Sequence, residues 1–98
     1  MGFSSVKRQA LKALLEGSFL HEVRRGAIDE KNLLATGEVT AEWVARVIAR
    51  STGANHQVSP HHQDATLEVH VIVKQGWYVK FYFLEPDTVF ISVHRANP

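Results

Sequence analysis

The spacing of apolar residues changes near the middle of the chain. Up to Thr52 these residues recur every three or four positions, which is the spacing of one face of an α-helix. After Asp64 they alternate with polar residues, as in a half-buried β-strand. The pattern predicts a single domain over residues 1–98, with a helical half at about residues 4–53 and a β-meander at about residues 65–95.

Three helices are predicted in the first half. Ser4 or Ser5 can cap the first, and a short second helix ends at Gly37. Thr40 caps the third helix, which ends at Gly53. The apolar faces predicted for the first and third helices consist of Val6, Ala10, Leu11, Leu14 and Leu15, and of Trp43, Val44, Val47 and Ile48.

Three antiparallel strands are predicted in the second half, namely Thr66 to Lys74, Trp77 to Leu84 and Thr88 to Arg95. Gln75-Gly76 and Glu85-Pro86-Asp87 supply the two turns. The predicted fold is α+β, with the N-terminal helices packed on one face of an antiparallel meander. The residues predicted to face the helices are Leu67, Val69, Val71, Val73, Trp77, Val79, Phe81, Phe83, Val89, Ile91 and Val93.

The opposite face of this predicted sheet is a mixture of titratable, cationic and aromatic side chains. Its residues are Glu68, His70, Ile72, Lys74, Tyr78, Lys80, Tyr82, Leu84, Phe90, Ser92 and His94. A sheet face of this composition can carry a functional site, and it is also typical of faces that are solvated or covered by another subunit.

Several of these side chains are the types that metal-independent RNA cleavage requires. His70, Glu68 or His94 could remove the proton from a 2′-hydroxyl near neutral pH. Lys80 could offset the negative charge that develops on the phosphorane. Tyr78 or a histidine could protonate the leaving 5′-oxygen. The candidate catalytic set is therefore Glu68, His70, Tyr78, Lys80 and His94.

Arginines in the helical half are the candidates for RNA contacts. Arg24 and Arg25 are adjacent, and Arg46 and Arg50 lie one helical turn apart, so either pair could contact phosphates. On the sheet, Tyr82 could stack on an unpaired base. Such arginines are more often part of a solvated helix surface, and that interpretation stays open.

The composition narrows the class of protein. Hydrophobic residues make up 45% of the chain and charged residues 21%, as in globular proteins. There is no cysteine, which excludes disulfides, thiolate metal sites and cysteine catalysis. Eleven basic and ten acidic residues give a net charge of +1, too small to predict strong electrostatic capture of a polyanion. Apolar runs of only a few residues predict a cytoplasmic protein without membrane attachment.

The polar segment 55–64 is predicted to be a loop, because it is too polar and too interrupted by proline for a central strand. It carries His56, His61 and His62, which suggest a metal site. Adjacent His61 and His62 tend to diverge, however, so we expect no metal and no cofactor. An alternative is that His61 or His62 folds over the sheet face and joins the site there.

Two short segments resemble the MqsR family of bacterial toxins, within the wider RelE/ParE-like group of small ribonucleases. One is Gln75-Gly76-Trp77-Tyr78-Val79-Lys80-Phe81, which is similar to the family's strand with a Tyr followed two residues later by a Lys. The other is Thr88-Val89-Phe90-Ile91-Ser92-Val93-His94, which is similar to its last strand. The likeness extends from about Val6 to His94.

This resemblance implies a RelE-like fold and sequence-selective cleavage of mRNA, with a separate antitoxin protein as partner. Tyr78 matches the family's active-site Tyr, and Lys80 matches the Lys that follows it. Two alternatives remain open beside this hypothesis. One is a non-enzymatic interaction module that binds a partner protein or forms a homodimer through its sheet face, and the other is a His-dependent metal-binding protein.

Overall fold

The computed structural model describes residues 2–24, 27–28 and 31–96. It is an α+β fold, with helices in the N-terminal half and a mostly antiparallel sheet in the C-terminal half, as predicted. The helices are α1 (Phe3–Glu16), α2 (Leu33–Thr36) and α3 (Ala41–Arg50). The strands are β1 (Phe19–His21), β2 (Val23–Arg24), β3 (Ala27–Ile28), β4 (His56–Pro60), β5 (Glu68–Lys74), β6 (Trp77–Leu84) and β7 (Asp87–Arg95).

The main sheet has five strands in the order β1-β7-β6-β5-β4, and β2 pairs separately with β3. The predicted meander is confirmed as β5, β6 and β7, with the turns at Gln75-Gly76 and Glu85-Pro86. The sequence pattern did not reveal the two edge strands. β4 ends at Pro60, which an edge strand tolerates because proline has no N–H to donate, and β1 is too short for a visible alternation.

The N-terminal cap predicted from the sequence is correct for one helix and wrong for another. The hydroxyl of Thr40 accepts a hydrogen bond from the backbone N–H of Trp43 at 3.1 Å, which confirms the predicted cap of α3. The predicted cap of α1 is wrong, because α1 begins at Phe3 after Gly2 and has no side-chain cap. No helix of the described residues is long and apolar enough to cross a membrane.

The main core lies between the sheet and the helices α1 and α3. Its buried residues are Val6, Ala10, Leu14, Leu34, Val44, Ala45, Ile48, Ile72, Val79, Phe81, Phe90 and Val93. Leu15, predicted on the apolar face of α1, is 70% exposed instead. Trp43, predicted to point inward, is 37% exposed and contacts Trp77 edge to face. The helices therefore cover one face of the sheet, and the opposite face is called the outer face below.

The predicted faces of β5 are inverted. Ile72 pairs with Val79 and both belong to the core beneath the helices, so His70, two residues away, faces the same side. Val71 pairs with Lys80 and therefore lies on the outer face. The prediction failed because valines occupy the outer positions of β5 while His70 occupies an inner one, so hydrophobicity does not distinguish its two faces.

A bulge in β7 changes the face of its first half. Lys80 pairs with Ser92 and Phe81 pairs with Phe90, so Ile91 is an extra residue in β7. Phe90 consequently faces the helices, although it was predicted on the outer face. Val89 and Ile91, predicted beneath the helices, instead join Val69, Tyr82 and the partly buried Leu67 in a second, smaller cluster on the outer face.

Candidate functional site

A set of aromatic and cationic side chains lies on the outer face, beside the turn between β5 and β6. Tyr78 and His94 lie opposite each other on β6 and β7, and their rings stack with centroids 4.7 Å apart and planes 15° apart. Two residues along β6, Lys80 lies on the same face opposite Ser92. These four residues, Tyr78, Lys80, Ser92 and His94, are called the outer-face site.

One nitrogen of His94 is fixed by the backbone. Its Nδ1 lies 2.7 Å from the carbonyl oxygen of Arg95. A carbonyl oxygen only accepts hydrogen bonds, so Nδ1 carries the proton in the neutral ring and Nε2 carries the lone pair. Nε2 has no hydrogen-bond partner within the described part of the chain. His94 is thus held in the tautomer that can accept a proton at Nε2.

Among the described residues, no nearby carboxylate balances the charge of Lys80. Within residues 2–24, 27–28 and 31–96, no Asp or Glu oxygen lies within 4.0 Å of its ammonium group. The side chain is half-buried beside Val71, which limits its contact with water. A cation in this setting favours an anionic ligand, because the ligand supplies the compensating charge.

A second polar cluster lies on the outer face toward the other end of β6, away from the turn between β5 and β6. Glu22 accepts hydrogen bonds at Oε1 from Nε2 of His61 at 2.9 Å and from the hydroxyl of Tyr82 at 3.2 Å. The rings of His61 and Tyr82 meet edge to face at 4.9 Å. Burial, and then the neighbouring Glu22, raise the pKa of Tyr82, so its hydroxyl stays a donor at neutral pH.

His61 folds over the sheet face, as one alternative allowed, but its contacts there are with Glu22, Tyr82 and its own loop rather than with the outer-face site. Nδ1 of His61 accepts a hydrogen bond from the backbone N–H of Gln63 at 3.1 Å, so both ring nitrogens are engaged. The residue is 7% exposed and stacks on His62. His61 therefore ties its loop to the sheet and has no nitrogen available for a substrate.

Two of the predicted catalytic residues lie on the other face of the sheet. His70 is 2% exposed beneath the helices, and its Nδ1 lies 3.0 Å from Nε2 of His56. Burial, and then the neighbouring His56, lower the pKa of His70. Burial also lowers the pKa of His56. Glu68 shares the face of His70, so neither residue can meet a phosphate bound beside Lys80.

The predicted RNA contacts are dispersed. Arg46 and Arg50 are exposed on α3, in the helical layer on the other side of the sheet from Lys80. Tyr82 is 8% exposed, too buried to offer its ring to a base. The side chain of Arg24 and the whole of Arg25 lie outside the described residues.

No metal site is formed by the part of the chain that the structure describes. Nowhere in residues 2–24, 27–28 and 31–96 do three His, Asp or Glu side chains come together in a way that could hold an ion. His61 and His62 stack on each other, and His56 binds His70. The histidines of segment 55–64 are thus used in contacts within the protein.

Glu22 was missed by the sequence analysis. It lies in the least regular part of the helical half of the sequence. It reaches Tyr82 only because β1 pairs with β7. The bulge at Ile91, which turns Phe90 toward the helices, was missed as well, since no glycine or proline marks it. A comparison of the chain with protein-family models, curated proteins and solved structures finds no match.

Proposed function

We propose that the protein is a small metal-independent endoribonuclease of the RelE-like toxin type, which cleaves mRNA in the cytoplasm and is controlled by an antitoxin protein. One observation carries the proposal. Among the described residues, a histidine whose Nε2 has no hydrogen-bond partner lies beside a stacked tyrosine and shares its sheet face with a lysine that has no carboxylate within 4.0 Å. These are the group types that cleavage at a 2′-hydroxyl requires.

Three residues of the outer-face site, Tyr78, Lys80 and His94, have roles in this reaction. Nε2 of His94 accepts the proton of the 2′-hydroxyl, whose oxygen attacks the adjacent phosphorus. A bond forms between the 2′-oxygen and phosphorus, and the bond from phosphorus to the 5′-oxygen breaks. Lys80 stabilises the charge on the phosphorane oxygens, and the hydroxyl of Tyr78 protonates the leaving 5′-oxygen. The products are a 2′,3′-cyclic phosphate and a 5′-hydroxyl.

The shape of the site favours unpaired RNA. Tyr78, Lys80 and His94 lie on a sheet surface, on which a splayed base can stack and a phosphate can meet the ammonium group. A protein that cleaves mRNA must also be restrained in its own host. A partner protein that covers this face would block the substrate directly, which is the role we assign to the antitoxin.

Inducible expression in bacteria tests the proposal. Wild-type protein should stop growth and create discrete new mRNA ends, and Lys80→Ala should abolish both effects. Lys12→Ala removes an exposed lysine of α1 and is the matched control, which should behave as wild type. Normal growth with intact mRNA from well-expressed wild-type protein would contradict the proposal.

Purified protein tests the chemistry. Single-stranded RNA should be cut in the presence of EDTA, and the new ends should carry a cyclic phosphate. Lys80→Ala, purified in parallel, controls for contaminating ribonucleases. Cleavage that EDTA abolishes would exclude the proposed mechanism and favour metal chemistry.

A second candidate function is binding without catalysis. The outer-face site is bordered by Val73, which lies opposite Tyr78 and is 41% exposed, and an exposed valine beside aromatic rings is typical of a protein interface. In this case the sheet face would bind a partner protein or a second copy of the chain. Sedimentation would then show a dimer that Val73→Asp disrupts, and RNA would remain uncut.

A further inference from the structure

Three side chains lie in one row at the end of the sheet, on the side that faces the helices. Lys74 pairs with Trp77, and Trp77 pairs with Arg95. Trp77 and Arg95 of this row are each one residue away, along β6 and β7, from Tyr78 and His94. The two groups therefore share one end of the sheet and differ only in the face to which they point.

Trp77 is the centre of this row. The guanidinium of Arg95 lies over its ring, 5.4 Å from the centroid, and the ring of Trp43 meets it edge to face at 6.0 Å. Trp43 is 37% exposed and Arg95 is exposed. Trp77 itself is partly buried. The Arg95 guanidinium stacked on its indole, beside the exposed Trp43, offers a flat surface with a positive charge, which suits a nucleobase together with its phosphate.

A third cation reaches the same end from α3. Nη1 of Arg50 donates a hydrogen bond to Oε1 of Gln75 at 3.4 Å, in the turn between β5 and β6. In the described part of the chain, no carboxylate oxygen lies within 4.0 Å of Arg50, Lys74 or Arg95. Positive charges from three elements thus lie at this end of the sheet, and none of them has a carboxylate within 4.0 Å among the described residues.

We infer that Trp77, Arg95, Lys74 and Arg50 form a second binding surface for unpaired RNA, here called the end platform, which holds nucleotides flanking the cleaved step. This inference rests on the proposed function. An RNA strand that crosses the outer-face site at Tyr78 and His94 reaches the end platform by passing over the turn at Gln75. The charge of the platform is complementary to phosphate, and its indole and guanidinium suit a base.

Intrinsic fluorescence tests this inference, because Trp43 and Trp77 are the two tryptophans of the chain and both lie at the end platform. The probes are single-stranded RNA oligonucleotides of about 3 and about 10 nucleotides, with a 2′-O-methyl group at every position to prevent cleavage. The longer probe should quench the fluorescence and bind about 5- to 100-fold more tightly than the shorter one.

Arg95→Ala should remove most of this gain in affinity and lower the salt dependence of binding by about 0.7 in log–log slope. Arg8→Ala removes an exposed arginine of α1 and should leave both quantities unchanged. Thermal unfolding of each variant verifies that the fold is intact. Cleavage of ribose-containing RNA is measured on the same preparations, so that catalysis and platform binding are read separately.

The outcomes separate the two proposals. Cleavage without tryptophan quenching, and with no effect of Arg95→Ala, would overturn the end platform and leave the ribonuclease proposal intact. Quenching and a length-dependent affinity without any cleavage would support the end platform and count against the enzyme. A concentration-dependent dimer that Arg95→Ala dissociates, with equal affinity for both probes, would show that a second copy occupies this surface and would overturn the inference.

Discussion

Lys80 and His70 lie on opposite faces of the sheet, although they belong to adjacent strands. Lys80 pairs with Val71, whereas His70 pairs with Phe81 beneath the helices. A proton acceptor on the face of His70 cannot serve a phosphate on the face of Lys80. Among the candidate bases His70, Glu68 and His94, only His94 shares the face of Lys80.

Replacement of His94 by Asn should therefore reduce RNA cleavage strongly. The Asn amide can still donate to the carbonyl oxygen of Arg95, but it has no basic nitrogen in place of Nε2. Loss of a general base lowers the rate by about 100- to 10,000-fold. The measurement is kcat/KM on a single-stranded RNA in EDTA.

Two control variants accompany His94→Asn. Glu68→Gln removes an exposed carboxylate from the other face, and His62→Asn removes an exposed histidine of the loop. Both should cleave at the wild-type rate. A loss of activity in Glu68→Gln equal to that in His94→Asn would contradict the assignment of faces to roles.

Acidification should destabilise the fold through His56 and His70. The pKa of each is lowered in the folded protein, so the unfolded chain binds more protons just below the ordinary histidine pKa of 6.5. Unfolding is then favoured as the pH falls, and the stability is recovered as the pH rises above that value. The thermal midpoint should drop between about pH 7.5 and pH 5.

His70→Leu identifies the source of this drop. The variant removes one titrating group and the hydrogen bond of 3.0 Å to His56, so it should melt lower at pH 7.5 but lose less on acidification. His62→Gln removes an exposed histidine and should keep the wild-type slope. A slope in His70→Leu as steep as that of wild type would show that other groups cause the acid sensitivity.

Tyr82→Phe should destabilise the protein by about 1–2 kcal/mol, because the variant removes a hydroxyl that donates to the Glu22 carboxylate. Tyr78→Phe is the matched control, since the Tyr78 hydroxyl has no hydrogen-bond partner within the described residues. Urea denaturation measures both changes. In a spectrophotometric titration, the Tyr82 hydroxyl should ionise at a higher pH than an ordinary tyrosine, because burial raises its pKa. The Tyr82→Phe variant should lack this ionisation. Equal stability losses in both variants would contradict this assignment.

Much of the fold was predictable because its signals are local. Thr40 caps α3 as expected, and Gln75-Gly76 forms the tight turn with positive φ at both residues. The short edge strands were not predictable, since β1 pairs in parallel with β7 across most of the chain. Such long-range pairing leaves no periodicity in a segment of three residues.

The candidate site was predictable in part. Tyr78 and His94 were expected on one face with Lys80, and the structure places them there. The error in β5 arose because Val69, Val71 and Val73 alternate as a buried face would, yet Val69 packs with Tyr82 in the smaller cluster on the outer face rather than under a helix. A sheet with apolar contacts on both faces removes the contrast on which alternation depends.

Cysteine labelling can test the corrected faces of β5, because the chain has no cysteine of its own. Val73 is 41% exposed on the outer face, whereas Ile72 is fully buried beneath the helices. Val73→Cys should react quickly with a maleimide in the folded protein, and Ile72→Cys should react only after urea unfolds the chain. The reverse order would restore the alternation-based prediction, return His70 to the face of Lys80, and make His70 again a candidate base for RNA cleavage.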